Sequence, residues 1–247
     1  MKRLADLNGI KDVNVISVGQ QLKIPDGISK PQEVTSAQRG TQAVPTGTSD
    51  KGYPQANVGN SAEQAPWMKI ALEQAKLWAG KYETEISRST NYHKEIGINL
   101  PSLVGDNNAW CASFVNYCLI SANPAYKKSN KPARALSFST DSINFKKIDS
   151  PVYGAIACFK RKKGGHVCFV VANSDQTPGN IIVLGGNQSD SINFVDRSLR
   201  GLVGLYVPTT YFMLAEHDLV SEELVTGNAD DFNASLNIDI TTDGSES

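Results

Sequence analysis

Cysteine and histidine are scarce in this chain, with four and three of them among 247 residues. No two cysteines form a CxxC pair, so neither a disulfide-built scaffold nor a zinc or redox motif is expected. No run of about 18 apolar residues occurs, so the pattern of a membrane-spanning helix is missing. The opening residues, MKRLADLNGI, contain no apolar core of a Sec signal peptide. At 40% hydrophobic residues, the chain is nevertheless too apolar to be disordered throughout.

Lysine and arginine are absent from residues 209–247, which contain nine acidic residues. Residues 1–208 therefore hold all 24 basic residues and the other 16 acidic residues, so their formal charge is +8. A basic body favours an anionic partner, although ordinary surface charge with a solubilising tail is an equal alternative. Nucleic acid is not expected as the partner, because neither a zinc motif nor a basic segment interleaved with aromatic residues is present.

Residues 26–64 show no hydrophobic period and are rich in Ser, Thr, Gly, Pro and Gln, which predicts a flexible linker. The residues before it, 1–25, contain LNGI and VGQQLKIP. These motifs resemble the second half of a LysM module, a small glycan-binding domain whose first strand and helix are not seen here. We therefore expect a partial LysM-like segment that is too short to hold a core alone.

Helical spacing and then strand spacing follow in residues 65–214, the predicted main domain. PWMKIALEQAKLWAG and AWCASFVNYCLISA each predict a helix, because their apolar residues recur on one face. VYGAIACFKRKKGGHVCFVVAN predicts a hairpin, and NIIVLGGNQ, SINFVDRS and GLVGLYVP predict further strands. Helices followed by an antiparallel sheet indicate an α+β fold. The remaining residues, 215–247, are acidic and are predicted to be a mobile tail.

Cys111 has the strongest signal for chemistry, because it stands at the predicted start of the second helix. A thiol at a helix N-terminus lies near the positive end of the helix dipole, which favours the nucleophilic thiolate. Cys118, Cys158 and Cys168 lie within apolar stripes, so they are expected to be core residues. A small buried side chain is the alternative reading of Cys111.

His166 opens the predicted strand HVCFVV directly after two glycines, where a ring can face the rim of a sheet. Asn187 stands at the end of LGGNQ, and its amide could fix the tautomer of His166 as the third member of a Cys–His–polar triad. A core histidine bonded to a backbone carbonyl is the alternative reading of His166. His93 and His217 stand in polar contexts and are expected at the surface.

Five segments together resemble the bacterial and phage peptidoglycan hydrolases related to CHAP and NlpC-type papain-like enzymes: PWMKIALEQ, AWCASFVNYCL, KPARALSF, PVYGAIACFKRKKGGHVCFVV and VLGGNQSDSINF. The resemblance implies a papain-like α+β fold with N-terminal helices packed on an antiparallel sheet. It implies that Cys111 is the nucleophile, His166 the general base and acid, and Asn187 the polar third member. The implied reaction is hydrolysis of an amide in the peptide part of peptidoglycan, by an amidase or endopeptidase without a metal or other cofactor.

Residues that contact the wall polymer are expected beside these three. We expect Trp110 and Gln188 to bind substrate. The basic turn before His166 is expected to attract the anionic wall, and consists of Lys160, Arg161, Lys162 and Lys163. The backbone N–H of Cys111 is one expected oxyanion donor, and Gln188 and Asn108 are candidates for the second.

Enzymes of this look that lack a Sec signal reach the wall through phage lysis or a type VI secretion apparatus. The resemblance therefore implies a bacteriolytic endolysin or effector, made in the cytoplasm. It would act in the periplasm or cell wall of a target cell or host after non-Sec export. A secreted toxin would have an immunity protein as partner. Two alternatives stay open: a catalytically idle wall-binding protein, and a papain-like acyl or amide transferase.

Overall fold

The computed structural model describes residues 65–215 and 224–239, and two short strands ahead of them. These are β1 (Pro45–Thr48) and β2 (Pro54–Ala56), which pair antiparallel within the segment that the sequence predicts to be a linker. The predicted LysM-like segment 1–25, the rest of the predicted linker, His217 and residues 240–247 lie outside the described residues.

Both helices that the sequence predicts are present in the main domain, and shorter helices lie between and after them. A four-residue helix is too short to show a periodic pattern, which is why the three helices of that length could not be predicted. Within the described ranges, no helix is long and apolar enough to cross a bilayer. In chain order, the helices are α1 (Trp67–Leu77), α2 (Glu83–Ile86), α3 (Tyr92–Glu95), α4 (Cys111–Ala122), α5 (Ser137–Thr140) and α6 (Thr209–Ala215).

The strands of the main domain form one antiparallel sheet in the order β3-β8-β4-β5-β6-β7. The α+β class predicted from the sequence is therefore observed, and it is compatible with a papain-like arrangement. The strand bounds are β3 (Phe145–Ile148), β4 (Ile156–Lys160), β5 (Gly165–Ser174), β6 (Asn180–Gln188), β7 (Ser191–Ser198) and β8 (Leu202–Pro208).

Helix α4 packs directly on β5 and β6. The rings of Phe114 and Phe169 lie 6.5 Å apart between centroids. A Cβ at Gly186 would lie 2.5 Å from the indole of Trp110 and 2.8 Å from Phe114, so only glycine lets the helix approach this close. The large core cluster contains these aromatic residues. A second cluster contains alternate residues of β4, β5 and β6: Ala157, Phe159, Cys168, Val170 and Val183. Cys118, Cys158 and Cys168 are fully buried, as predicted.

Residues 224–239 differ from the expected mobile tail. They form β9 (Thr226–Gly227), which pairs in parallel with the end of β5, and helix α7 (Ala229–Ser235). The side chain of Asn233 accepts a hydrogen bond from the backbone N–H of Phe194 at 2.9 Å and donates to its carbonyl at 2.9 Å. Leu236 and Ile238 are buried in the core cluster. This packing was not predicted, because the composition of the segment is acidic and only a few apolar residues attach it to the main domain.

Candidate active site

Cys111 is the first residue of α4, in the position that the sequence predicts. Trp110 precedes the helix, and its carbonyl accepts the backbone N–H of Phe114 at 2.9 Å. The thiol side chain is 5% exposed. Burial raises the pKa of the Cys158 thiol, and the neighbouring Cys168 and Cys111 raise it further. Cys158 pairs across β4 and β5 with Val167, the residue next to His166.

The loop of residues 104–110, which we call the pre-helix loop, is held by a buried histidine. The Nε2 atom of His93 lies 3.0 Å from the carbonyl of Asn108, and its Nδ1 atom lies 2.7 Å from Oγ of Ser113. Because a carbonyl only accepts, His93 carries its proton on Nε2, and Ser113 donates to Nδ1. Burial lowers the pKa of His93, and the bond to Asn108 opposes that shift. The expectation that His93 lies at the surface was wrong, since a short helix buries it fully.

His166 lies near the start of β5 and is 1% exposed. Its Nε2 atom lies 3.0 Å from Oε1 of Gln188, the last residue of β6. A side chain at Gly185 would come within 3.0 Å of that same Oε1 atom, so the glycine makes room for the pair. The structure therefore brings together one predicted catalytic residue and one predicted substrate-binding residue.

The orientation of the Gln188 amide determines which nitrogen of His166 carries the proton. Its Nε2 group donates to the backbone carbonyl of Asn193 at 2.8 Å and faces the Oδ1 atom of that residue at 3.1 Å. Oε1 must then face His166, which donates from its own Nε2. The Nδ1 atom of His166 is left as an acceptor. It is buried and has no hydrogen-bond partner among the residues that the structure describes.

The environment of His166 keeps its ring neutral. Burial lowers its pKa well below the ordinary value, and the positive charges of Arg161 and Arg197 lower it further. The hydrogen bond to Gln188 opposes this shift only in part. A neutral ring with a bare Nδ1 lone pair has the protonation state of a general base at neutral pH.

Asn187, the predicted third member, is not the residue that meets His166. Continued pairing of β5 with β6 beyond Phe169 and Leu184 would place it opposite His166. However, the ladder between β6 and β7 has a register shift between Gly186 and Gln188. Asn187 adopts a positive φ of 58°, which interrupts the alternation of side chains. Gln188 takes its place beside the ring. Sequence alternation alone could not reveal a bulge formed by a non-glycine residue.

The thiol of Cys111 does not hydrogen-bond to His166, since Nδ1 of the ring is without a partner in the described structure. Strand alternation also separates them. Val167 and Phe169 belong to the cluster that contains α4, whereas Cys168 belongs to the second cluster. His166 shares the face of Cys168 along β5. Proton transfer between the two residues therefore requires the His166 ring to move to the α4 side of β5.

The other predicted contacts separate into exposed and buried residues. Lys160, at the end of β4, and Lys162 and Lys163, in the turn that follows, are exposed. Arg161 is partly buried, and its charge lowers the pKa of His166. Trp110 is fully buried and stacks on Tyr92 at 5.5 Å between ring centroids.

The two oxyanion candidates have other hydrogen-bond partners. Asn108 donates from Nδ2 to the carbonyl of Val104 at 2.7 Å, and both ends of the Gln188 amide are bonded as described above.

Residues 103–187 match the CHAP domain, and residues 1–25 match the LysM domain. CHAP domains are generally peptidoglycan amidases or endopeptidases, and LysM domains bind peptidoglycan, so both indicate action at the cell wall. No curated protein and no solved structure was found to match the chain.

The CHAP match includes Cys111 and His166 and ends at Asn187. Gln188 and Asn193, which orient His166, lie outside the matched residues.

Proposed function

We propose that this protein hydrolyses an amide bond in the peptide part of peptidoglycan, with Cys111 as nucleophile and His166 as general base and acid. The observation that carries the proposal is the bare, buried Nδ1 atom of His166, whose state follows from the chain of hydrogen bonds through Gln188 to Asn193. The position of Cys111 in the first turn of α4, which packs on the strand that carries His166, supports its role as nucleophile.

The same group must accept a proton in two steps of the reaction, when the thiol attacks the amide and when water attacks the thioester. Nδ1 of His166 takes the thiol proton while the sulfur of Cys111 bonds to the amide carbon. Collapse of the tetrahedral intermediate breaks the carbon–nitrogen bond, and the proton on His166 goes to the leaving amine. Water then attacks the thioester and gives one proton to His166. The carbon–sulfur bond breaks, and that proton returns to the sulfur, which restores both residues.

In this proposal Gln188 takes the third role that the sequence had suggested for Asn187. An acceptor on Nε2 keeps the imidazole in one tautomer and stabilises the imidazolium that forms during the reaction. The backbone N–H of Cys111 is the proposed first oxyanion donor, because the first N–H groups of a helix point away from its own hydrogen-bond ladder.

The wider role that we propose is that of a bacteriolytic effector or lysin. The +8 charge of residues 1–208 suits a fixed anionic polymer, and the exposed Lys160, Lys162 and Lys163 are part of that charge. A cognate immunity protein belongs to the effector version of this proposal.

Digestion of purified sacculi tests the reaction. Wild type is compared with Cys111→Ala and with the matched control Cys118→Ala, which removes a buried thiol of the same helix. Mass spectrometry of the released fragments should show new amino groups with wild type and the control, but none with Cys111→Ala. The bond that carries each new amino group identifies an amidase or an endopeptidase. Activity that survives in Cys111→Ala would overturn the assignment of the nucleophile.

One observation favours a second candidate function, that of a catalytically idle wall-binding protein. The Cys111 thiol and the His166 ring share no hydrogen bond, and strand alternation places His166 on the face of β5 away from α4. If wild type binds sacculi but releases no fragment, this second function is the correct one.

A further inference from the structure

Glu83 is a buried carboxylate that contacts both ends of the pre-helix loop. It is 9% exposed and lies at the start of α2. Its Oε1 atom accepts the backbone N–H of Gly105 at 3.0 Å, and its Oε2 atom accepts the indole N–H of Trp110 at 3.2 Å. Gly105 begins the loop's 3-10 turn and Trp110 directly precedes Cys111, so one side chain spans the loop.

The backbone at the same place joins the turn between β6 and β7, residues 188–191. The N–H of Glu83 donates to the carbonyl of Asp190 at 2.6 Å, and Tyr82 forms an isolated antiparallel bridge with Ser191. Ser191 in turn donates from Oγ to the carbonyl of Gln188 at 3.0 Å. Glu83 is thus bonded through its side chain to the segment before Cys111, and through its backbone to the segment that orients His166.

We propose that Glu83 is a positioning residue that holds the pre-helix loop in a fixed place relative to the turn that follows Gln188. The inference rests on the proposed function, in which the two segments carry the nucleophile and the partner of the base. Cys111 and His166 come from separate elements, so their approach depends on contacts that join those elements. Misplacement of reacting groups by 1 Å can reduce a rate by about 10²-fold.

The chemistry of the two contacts requires a carboxylate at position 83. Both partners are N–H donors, so each oxygen of the carboxylate must accept. A glutamine has the same shape but would set its own NH₂ group against one of the two N–H groups. Burial raises the pKa of Glu83, and so do the nearby Asp190 and Asp106, while the bonds from Gly105 and Trp110 lower it. Burial therefore destabilises the charged carboxylate, and the hydrogen bonds from the two N–H donors stabilise it.

The test compares Glu83→Gln with Glu85→Gln, a change of the same kind on the same short helix. Glu85 is partly exposed, pairs with Lys81 at 2.9 Å and accepts the backbone N–H of Tyr82 at a long 3.4 Å, and such surface contacts are of little energetic value. We expect Glu83→Gln to slow the alkylation of Cys111 by iodoacetamide and to lower kcat by about tenfold or more, with KM nearly unchanged. Hydrogen exchange at the Gly105 amide should become faster in Glu83→Gln alone. Glu83→Asp, which keeps both acceptor oxygens, should recover part of the loss.

If Glu83→Gln has the same rate of Cys111 alkylation, the same kcat and the same hydrogen exchange at Gly105 as wild type, the proposal is overturned. If Glu83→Gln does not fold, Glu83→Asp measured against Glu85→Gln decides the question, and unchanged values in Glu83→Asp overturn it. A different result would show that the proposed function itself is wrong. Wild type would then release nothing from sacculi, while faster exchange at Gly105 in Glu83→Gln would still support the positioning role.

Discussion

The proton on His166 determines whether its ring can act as a base. In this structure Nε2 holds the proton and faces Gln188, and Nδ1 is the bare nitrogen. This arrangement depends on Asn193, which acts on His166 through Gln188. The backbone carbonyl of Asn193 accepts a hydrogen bond from the Gln188 amide and so orients the amide oxygen toward His166. A papain-like pair is often an ion pair of thiolate and imidazolium. Here burial and two arginines favour the neutral imidazole instead.

The pH dependence of kcat/KM follows from this neutral state. Because the pKa of His166 is lowered, the base stays deprotonated below the usual histidine range, and the acid limb should lie below pH 6.5. Arg161→Gln removes a positive charge that lowers this pKa, so the acid limb should move to higher pH. Lys163→Gln, on the exposed side of the same turn, is the control and should leave the limb in place. An acid limb that Arg161→Gln does not move would exclude His166 as the titrating base.

Gln188 and Asn187 can be told apart by removing one side chain at a time. Gln188→Ala removes the acceptor of the Nε2 proton, and we expect kcat to fall by about 10²-fold, because the tautomer is no longer fixed. Asn187→Gly removes the neighbouring side chain without strain, since glycine tolerates the positive φ found there. This variant should keep kcat within about threefold of wild type. The reverse order of effects would restore Asn187 as the third member.

Single residues show both the success and the limits of sequence reasoning. Cys111 and His166 could be selected because a helix start and a strand start are visible as changes of period. Gln188 could not be distinguished from Asn187, because the choice depends on a positive φ at one residue. Glu83 and His93 carried no signal, since their roles come from contacts with a loop that is distant in the sequence.

At the scale of elements, the contact between α4 and the end of β6 places the nucleophile. The helix rests on the backbone of Gly186, with the Trp110 and Phe114 rings against it. One residue earlier, Gly185 leaves room for the Gln188 amide on the other face of the strand. The two adjacent glycines therefore serve two different neighbours, one on each face of β6. The sequence pattern LGGNQ indicates a close approach but not what approaches.

Gly186→Ala tests the helix contact. The added methyl would overlap with Trp110 and Phe114, and we expect unfolding free energy to fall by about 1–3 kcal/mol, the usual effect of overpacking. Gly227→Ala is the comparison, because the nearest atom is in the Phe232 ring at 3.0 Å. It should change stability by about 0.5 kcal/mol or less. Urea unfolding followed by circular dichroism measures both, and equal effects would contradict the packing of α4 on Gly186.

Order and type of the larger elements were predictable, but their ends and the small elements were not. The predicted strands appear as β4 to β8, because alternating or continuous apolar residues bounded by glycines give a strong signal. Strand β3 was missed, since FKKI is short and half of it is lysine. Helix α7 was missed because its acidic surface resembles a tail, while one asparagine and a few apolar residues attach it to the sheet.

At the scale of the whole molecule, basic and acidic residues are separated along the sequence but not fully separated in the folded structure. All Lys and Arg residues precede residue 209, and nine acidic residues follow. The described part of the acidic segment includes α7, which contacts β7 rather than standing apart from the body. Acidic residues therefore lie on the folded surface. Local clusters such as the β4–β5 turn, more than the total charge of the body, should decide where an anionic polymer binds.

Replacement of Lys160, Lys162 and Lys163 by serine tests that local attraction. Arg161 is not replaced, because its charge lowers the pKa of His166. The control replaces three exposed lysines from separate elements: Lys69, Lys94 and Lys147. Both triple variants have the same net charge, so a difference between them reports position alone. We expect the turn variant to bind purified sacculi more weakly in low salt, with the difference vanishing in high salt as exposed charges are screened. Equal binding by both variants in a sedimentation assay would show that total charge, and not the turn beside His166, attracts the wall.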